Sequence, residues 1–211
     1  GCSKILVESY DTLRKDDIQE MHLEIDLSAK RLLQLIQKFL LFAKLERAED
    51  DEEEQRWMRN SVLPGCAFYI SNAAQNCAKT YEREADLTID VEDATIAVRA
   101  AKFNGMIQEL VDNALKFSPA GSPVVIRGVV TGDNMYKLSF SDKGRGMNAR
   151  QIAAIGAYMQ FDRSQYEQQG SGLGLAIAAK VARLHAGTLD INSTPGNGTT
   201  VIVTLPLAQV V

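Results

Sequence analysis

The stretch Glu109-Leu110-Val111-Asp112-Asn113-Ala114-Leu115-Lys116-Phe117-Ser118-Pro119-Ala120-Gly121-Ser122-Pro123-Val124-Val125-Ile126-Arg127-Gly128-Val129-Val130 decides the fold. Its first half reads as the end of a helix over 100–117. Ser118-Pro119-Ala120-Gly121 closes that helix, because proline has no N–H to continue it. The β-branched run 124–130 then reads as a strand. A second run at 136–141 follows Thr131-Gly132-Asp133-Asn134, so the two runs predict a hairpin.

The same alternation extends outward in both directions. Upstream, 64–81 reads as a helix and 87–91 alternates like a strand. Downstream come a short helix at 149–156, a polar segment at 163–169, a glycine cluster and a helix over 173–185. Residues 189–192 and 200–205 form a second hairpin around Pro195-Gly196-Asn197-Gly198. Strands paired locally, with helices to one side, predict an α+β chain: a two-layer α/β sandwich and not a doubly wound parallel sheet.

Residues 18–47 follow a different rule. Ile25, Ala29, Leu32, Ile36, Phe39 and Ala43 step by four and three, and Leu33 and Leu40 widen the stripe. So wide an apolar face needs partner helices. Residues 4–14 read as the end of an earlier helix, with Asp16-Asp17 near the turn, which predicts two antiparallel helices. The acidic run at 49–54 separates this hairpin, assigned 1–50, from the sandwich, assigned 51–211. The run is read as a solvated helix end or linker, with an acidic docking surface as the alternative.

The chain has 211 residues, 45% of them hydrophobic and 24% charged. Those values describe an ordinary globular protein and exclude a disordered chain or a collagen-like fibre. A formal net charge of −4 argues against general nucleic-acid affinity. No apolar run is long enough to span a membrane. Cys2, Cys66 and Cys77 lack metal-type spacing and read as structural thiols in a reducing, cytoplasmic compartment.

Four clusters carry chemistry. On the helix, Glu109, Asn113 and Lys116 share one face. A carboxylate suits a proton, an amide oxygen suits a hard cation and an ammonium suits a phosphate. A solvated polar face would show the same residues. Asp142-Lys143-Gly144-Arg145-Gly146-Met147 follows a strand; its carboxylate could accept from an exocyclic amine such as adenine's, or the segment could be a plain turn. Gly170-Ser171-Gly172-Leu173-Gly174-Leu175 runs into a helix, where backbone N–H groups favour anions. Its G-x-G-x-G spacing, with no strand immediately before it, differs from the dinucleotide fingerprint. Gly196-Asn197-Gly198-Thr199-Thr200 precedes a strand and reads equally as a hairpin turn.

The joint order of these clusters resembles the N box and the three glycine boxes of the sensor histidine-kinase catalytic domain. That domain is similar to the ATP-binding (Bergerat-type) fold of gyrase, mismatch-repair ATPases and heat-shock chaperones. Phe161-Asp162-Arg163-Ser164 resembles the family's F box, with Tyr158 where a further aromatic is common. The stretch from Ser28 through Leu35 and Ile36, ending in Leu41-Phe42-Ala43-Lys44-Leu45-Glu46, resembles the second dimerisation helix.

The resemblance implies roles. Asn113 would hold Mg²⁺ against the phosphates of ATP, and Glu109 would be the polar, proton-accepting partner of the attacking histidine. Lys116 would approach the phosphates. Asp142 would bind the adenine amino group, with Phe117, Gly144, Gly146, Met147 and Thr199 around the nucleotide. Gly170, Ser171, Gly172, Leu173 and Gly174 would shape the hinge of a lid over 148–171, which also carries Phe161 and Arg163. The implied partners are a response-regulator receiver domain and a second copy through the helical hairpin.

One departure stands out. The family's acceptor histidine is followed by an acidic residue, then arginine and Pro-Leu. The chain contains only His22 and His185; Leu23-Glu24-Ile25 follows His22, and His185-Ala186-Gly187 reads as a helix end with a cation at its C-terminal dipole. The acceptor is therefore expected upstream, on a first helix that the chain enters partway. A regulatory nucleotide-binding module or pseudokinase is the alternative, and a superfamily ATPase a further one.

Overall fold

The computed structural model describes residues 2–9, 13–153, 155 and 172–208. Contacts divide the chain into two units, Gly1–Leu41 and Phe42–Val211. In the first, helix α1 (Cys2–Ser9) turns back on helix α2, which runs Lys15–Glu49 and carries Asp16 and Asp17 in its first turn. Those two carboxylates complement the positive end of the helix dipole. The Cys2 thiol donates to Glu24 Oε2 at 2.7 Å, so the two helices run antiparallel. The apolar stripe of α2 stays open to solvent: Leu32 is 58% exposed, Phe39 50% and Leu40 54%.

The second unit begins where α2 becomes buried. Phe42, Leu45 and Ala48 are each 1% exposed. The acidic run then starts a helix of its own, α3 (Glu52–Arg59). The Asp51 carboxylate accepts from the Glu53 and Glu54 amides, both at 3.0 Å, and the glutamates fill the first turn. The charge run is thus a helix start, as N-cap chemistry favours. The sequence pattern does not reveal this helix, because only Met58 of its residues is buried and its apolar period is too short to register.

The rest of the unit is one layer of helices on one sheet. Helix α4 is Cys66–Thr80, strand β1 Leu87–Val91 and helix α5 Ala100–Phe117. Strands β2 (Val124–Thr131) and β3 (Met135–Asp142) follow, then helix α6 (Ala149–Ala153), helix α7 (Leu173–Leu184) and strands β4 (Thr188–Ser193) and β5 (Thr199–Pro206). The sheet order is β1-β2-β3-β5-β4. Both hairpins form as read, but two pairings are long-range. β1 lies parallel to β2 across the α5 crossover, and β3 joins β5. Alternate residues Ile126, Leu138, Phe140 and Val203 face the helices, and α5 returns Phe103, Met106, Ile107, Leu110 and Val111 to the same core. Each such side chain contributes about 1.5–3 kcal/mol by leaving water.

Long-range groups complete the helix ends. Gly65 offers α4 no side-chain cap, and Asp93 supplies one by accepting from the Ala67 amide at 3.1 Å. Helix α7 closes by bonds from Ala186 N–H to the Arg183 carbonyl and from Gly187 N–H to the Ala182 carbonyl. This is the Schellman pattern, with Ala186 and not glycine at positive φ (57°).

The structure corrects the reading of His185 as a cation at that terminus. The ring is 1% exposed; Nδ1 donates to the Val181 carbonyl at 2.7 Å and Nε2 accepts from the Arg99 amide at 3.3 Å. A second proton would sit on Nε2, facing an N–H. Burial, then the Lys102 and Arg99 charges, hold the imidazole below its ordinary 6.5, against the pull of the Val181 carbonyl. The unfolded chain therefore takes up this proton first. Stability is complete above about pH 6.5 and falls as the pH drops below it. We expect urea midpoints to decline between about pH 7 and pH 5.5, with His185→Gln removing most of that slope. An unchanged slope in the variant would refute the assignment.

Candidate functional site

Helix α5 supplies two faces. Its apolar residues fill the core, and Glu109, Asn113, Lys116 and Phe117 lie half-buried, the first two against the start of α7. Asp112, between them in sequence, is committed elsewhere: it accepts from the Tyr81 hydroxyl at 2.6 Å. Cys77 is structural too. Burial, reinforced by the Asp112 and Glu109 charges, pushes its thiol up to about 11.

Helix α7 begins after Gly172, which sits at φ +69° and gives no side-chain cap. Its first-turn amides are the kind of groups that take anions. Gly174 brings this terminus onto α5. A Cβ there would lie 2.5 Å from Glu109 Oε2 and 3.1 Å from Asn113 Nδ2. The absence of a side chain at 174 thus places a carboxylate and an amide at the mouth of a helix N-terminus.

A second wall forms at the C-terminal end of α5. The Arg145 amide donates to the Phe117 carbonyl at 3.3 Å, and the Arg145 guanidinium lies 4.6 Å from the Phe117 ring centroid. Lys116 Nζ lies 5.8 Å from the same centroid. A Cβ on Gly144 would overlap the Phe117 carbonyl oxygen, so this loop can wrap the helix end only with glycine there. Asp142, at the end of β3, accepts from the Gly144 amide at 2.7 Å. Burial raises its carboxyl above the ordinary carboxylate range, while the Gly144 and Thr199 amides act the other way.

The loop before β5 closes that wall. Gly198 has φ +83°, and a Cβ there would strike the Asp142 carbonyl. Gly146 approaches the Thr194 carbonyl as closely. Thr199 is the register partner of both Asp142 on β3 and Ser193 on β4. Ser193 Oγ accepts from the Met147 amide at 2.8 Å and donates to the Gly198 carbonyl at 2.9 Å.

The family described as histidine kinase-, DNA gyrase B- and HSP90-like ATPase matches residues 99–209. The chain belongs to this family. The match spans α5 to β5, so it takes in every described part of the site. Among curated relatives, the non-motile and phage-resistance protein of Caulobacter vibrioides is 28% identical over 98% of this chain and 25% of its own length. A sensor-like histidine kinase of Rhizobium meliloti is 28% identical over 98% of this chain and 39% of its own. The chain therefore spans well under half the length of these relatives. Among solved structures, full-length ShkA in complex with AMPPNP superposes with a TM-score of 0.72 at 22% identity, over 94% of this chain and 40% of that one. The Acinetobacter baumannii histidine kinase AdeS gives 0.68 at 14% identity, over 99% and 93%. Both likenesses concern the fold.

Within this ATPase-family domain, Glu109, Asn113 and Gly174 come together, with Leu173 beside them. Phe117, Asp142, Gly144, Gly146, Met147 and Thr199 form the second wall. Phe161, Arg163, Gly170 and Ser171, with Tyr158, lie outside the described residues, as does most of the expected lid. Arg145, which lies in a quoted cluster without a role of its own, and Ser193, which lies in none, reach the site only through tertiary contacts with Phe117, Met147 and Gly198. Among the described residues no three His, Cys, Asp or Glu side chains gather as a metal site, and no helix is long and apolar enough to cross a membrane. The donors present suit Mg²⁺ all the same, because that ion keeps its waters and is held by one or two protein oxygens together with substrate phosphates.

Proposed function

We propose that this domain is the ATP-binding catalytic core of a two-component sensor histidine kinase. In that reading it transfers the γ-phosphoryl group of ATP to a histidine nitrogen, and a response-regulator receiver domain then takes the group. The approach of Gly174 to Glu109 and Asn113 carries the proposal. It sets a carboxylate and an amide beside a helix N-terminus, and an anionic transferring group with its cation would need groups of those types. Mg²⁺, when bound, would neutralise charge developing on the phosphates, with the Asn113 amide oxygen among its ligands. Glu109 would accept or orient the proton of the attacking imidazole. The first turn of α7 would hold phosphate oxygens through backbone N–H groups, and Lys116 would add a positive charge beside them. The open apolar stripe of α2 supports pairing with a second copy.

Neither histidine of this chain suits the acceptor role: His185 is buried and bonded at both nitrogens, and His22 lies exposed on α2 outside any acceptor motif. Incubation with radiolabelled ATP should leave both unlabelled. Stoichiometric label on His22 would show the acceptor to be this residue.

Asp142 would select adenine. Its carboxylate accepts from an exocyclic amine and repels the carbonyl that guanine presents at the equivalent position. Asp142→Asn should weaken ATP binding by about 1.5–3 kcal/mol, the range for a hydrogen bond to a charged group. Competition calorimetry with ATP and GTP checks this, and equal affinity of the unmutated protein for the two would sink it.

A further inference from the structure

Ser193 stands at the end of β4, between the two glycine-bearing loops that flank Asp142. Its hydroxyl has one proton and two lone pairs, and the structure uses all three. The proton goes to the Gly198 carbonyl at 2.9 Å. One lone pair receives the Met147 amide at 2.8 Å. The third contact is with Thr199 Oγ1 at 3.0 Å. Since the Ser193 proton is already committed, Thr199 must be the donor in that last bond.

This fixes the polarity of Thr199. With its own proton turned to Ser193, its hydroxyl can offer the site lone pairs only. Thr199 sits opposite Asp142 in the β3–β5 register, and its backbone amide acts to lower the Asp142 carboxyl against the effect of burial. The two residues would then present acceptors side by side. Two acceptors match the two hydrogens of an exocyclic amine and oppose a carbonyl at the same place.

We infer that Ser193 is a specificity-determining positioning residue: by holding the Thr199 proton, it makes that hydroxyl an obligate acceptor and sharpens selection of an amino-purine triphosphate over an oxo-purine one. The inference rests on the nucleotide site proposed above. A merely structural serine would predict something different. Losing it would weaken all nucleotides alike, whereas a polarity-setting serine controls their ratio. Freed from Ser193, the Thr199 hydroxyl could rotate and donate to a carbonyl, so discrimination would relax.

The experiment measures ATP and GTP affinities of the chain by calorimetry with Mg²⁺ present, for the unmutated protein, Ser193→Ala, Ser193→Thr and Thr199→Val. Ser193→Ala should reduce the ATP-to-GTP preference by about tenfold, the effect of one discriminating hydrogen bond. Ser193→Thr, which keeps the hydroxyl, should restore most of it. Thr199→Val removes the acceptor itself and should lower the preference even where Ser193→Ala fails to fold. A preference unchanged in Ser193→Ala or in Thr199→Val, or parallel losses for both nucleotides, overturns the inference while leaving the site intact. An unmutated protein that binds neither nucleotide overturns the site reading instead.

Discussion

With an acceptor histidine supplied on a separate chain, Asn113→Ala is expected to reduce the proposed phosphoryl transfer by about 10²–10³-fold, the loss seen when one preorganised charge-stabilising group is removed from a transition state. The fold should survive. Asn113 lies on the half-buried polar face of α5 and not among its core residues, and alanine is the best helix former. The deficit should concentrate in the metal-dependent part of binding, because an amide oxygen is a ligand for a hard cation and alanine offers none. Calorimetry with and without Mg²⁺, beside a urea midpoint, separates these effects. Mg²⁺-dependent affinity equal to that of the unmutated protein would remove Asn113 from the metal. A collapsed urea midpoint would show that the side chain holds α5 in place and would assign the loss to folding.

Arg83→Met is expected to cost about 3 kcal/mol of stability, because carbonyls buried under the guanidinium lose their donor at about 1–3 kcal/mol each. Arg83 is 7% exposed. Its Nε donates to Asp86 Oδ2 at 2.6 Å, and Asp86 also accepts from the Gly121 amide at 2.9 Å. Its terminal nitrogens donate to the carbonyls of Leu115 at 2.5 Å, Ser118 at 3.0 Å, Pro119 at 2.8 Å and Ser122 at 3.1 Å. These include carbonyls that the end of a helix leaves without partners. One planar guanidinium therefore closes α5 and ties down the loop behind it. Removal strands the Asp86 carboxylate, which Arg83 holds below the usual carboxylate range, together with several carbonyls. Lysine should not rescue, because a single ammonium cannot reproduce the fork. Urea unfolding gives the number; a cost below about 1 kcal/mol would show that water replaces the clamp. Since the Phe117 carbonyl at this helix end also receives the Arg145 amide, ATP affinity should fall with stability in any Arg83 variant that still folds.

The parts that could be read in advance share a physical property: their signal is local. Helix α5 and both hairpins show period and turn chemistry within a dozen residues. The departures share the opposite property. The parallel pairing of β1 with β2 depends on the α5 crossover returning to the sheet, and β3 meets β5 across some sixty residues of chain. Helix α3 hid because seven of its eight residues avoid the core. His185 misled because the same helix-end position can be solvated or buried, and only the packing of Arg99 and Lys102 around it decides which proton state is stable.

The candidate site divides along the same line. Glu109, Asn113 and Lys116 share a face by helical geometry alone, so residue type and spacing sufficed to group them. That Gly174 must lack a side chain follows only from the meeting of α7 with α5. Likewise, Ser193 is an unremarked strand serine until β4, β5 and the two loops converge on its hydroxyl. By itself the sequence determined most elements, their order and the chemical types gathered on the polar face of α5, because those follow from interactions along a few turns of backbone. Tertiary structure alone decided which helix end Arg83 closes, which proton His185 refuses and which way the Thr199 hydroxyl points, because each depends on desolvation and hydrogen-bond partners supplied from distant parts of the chain.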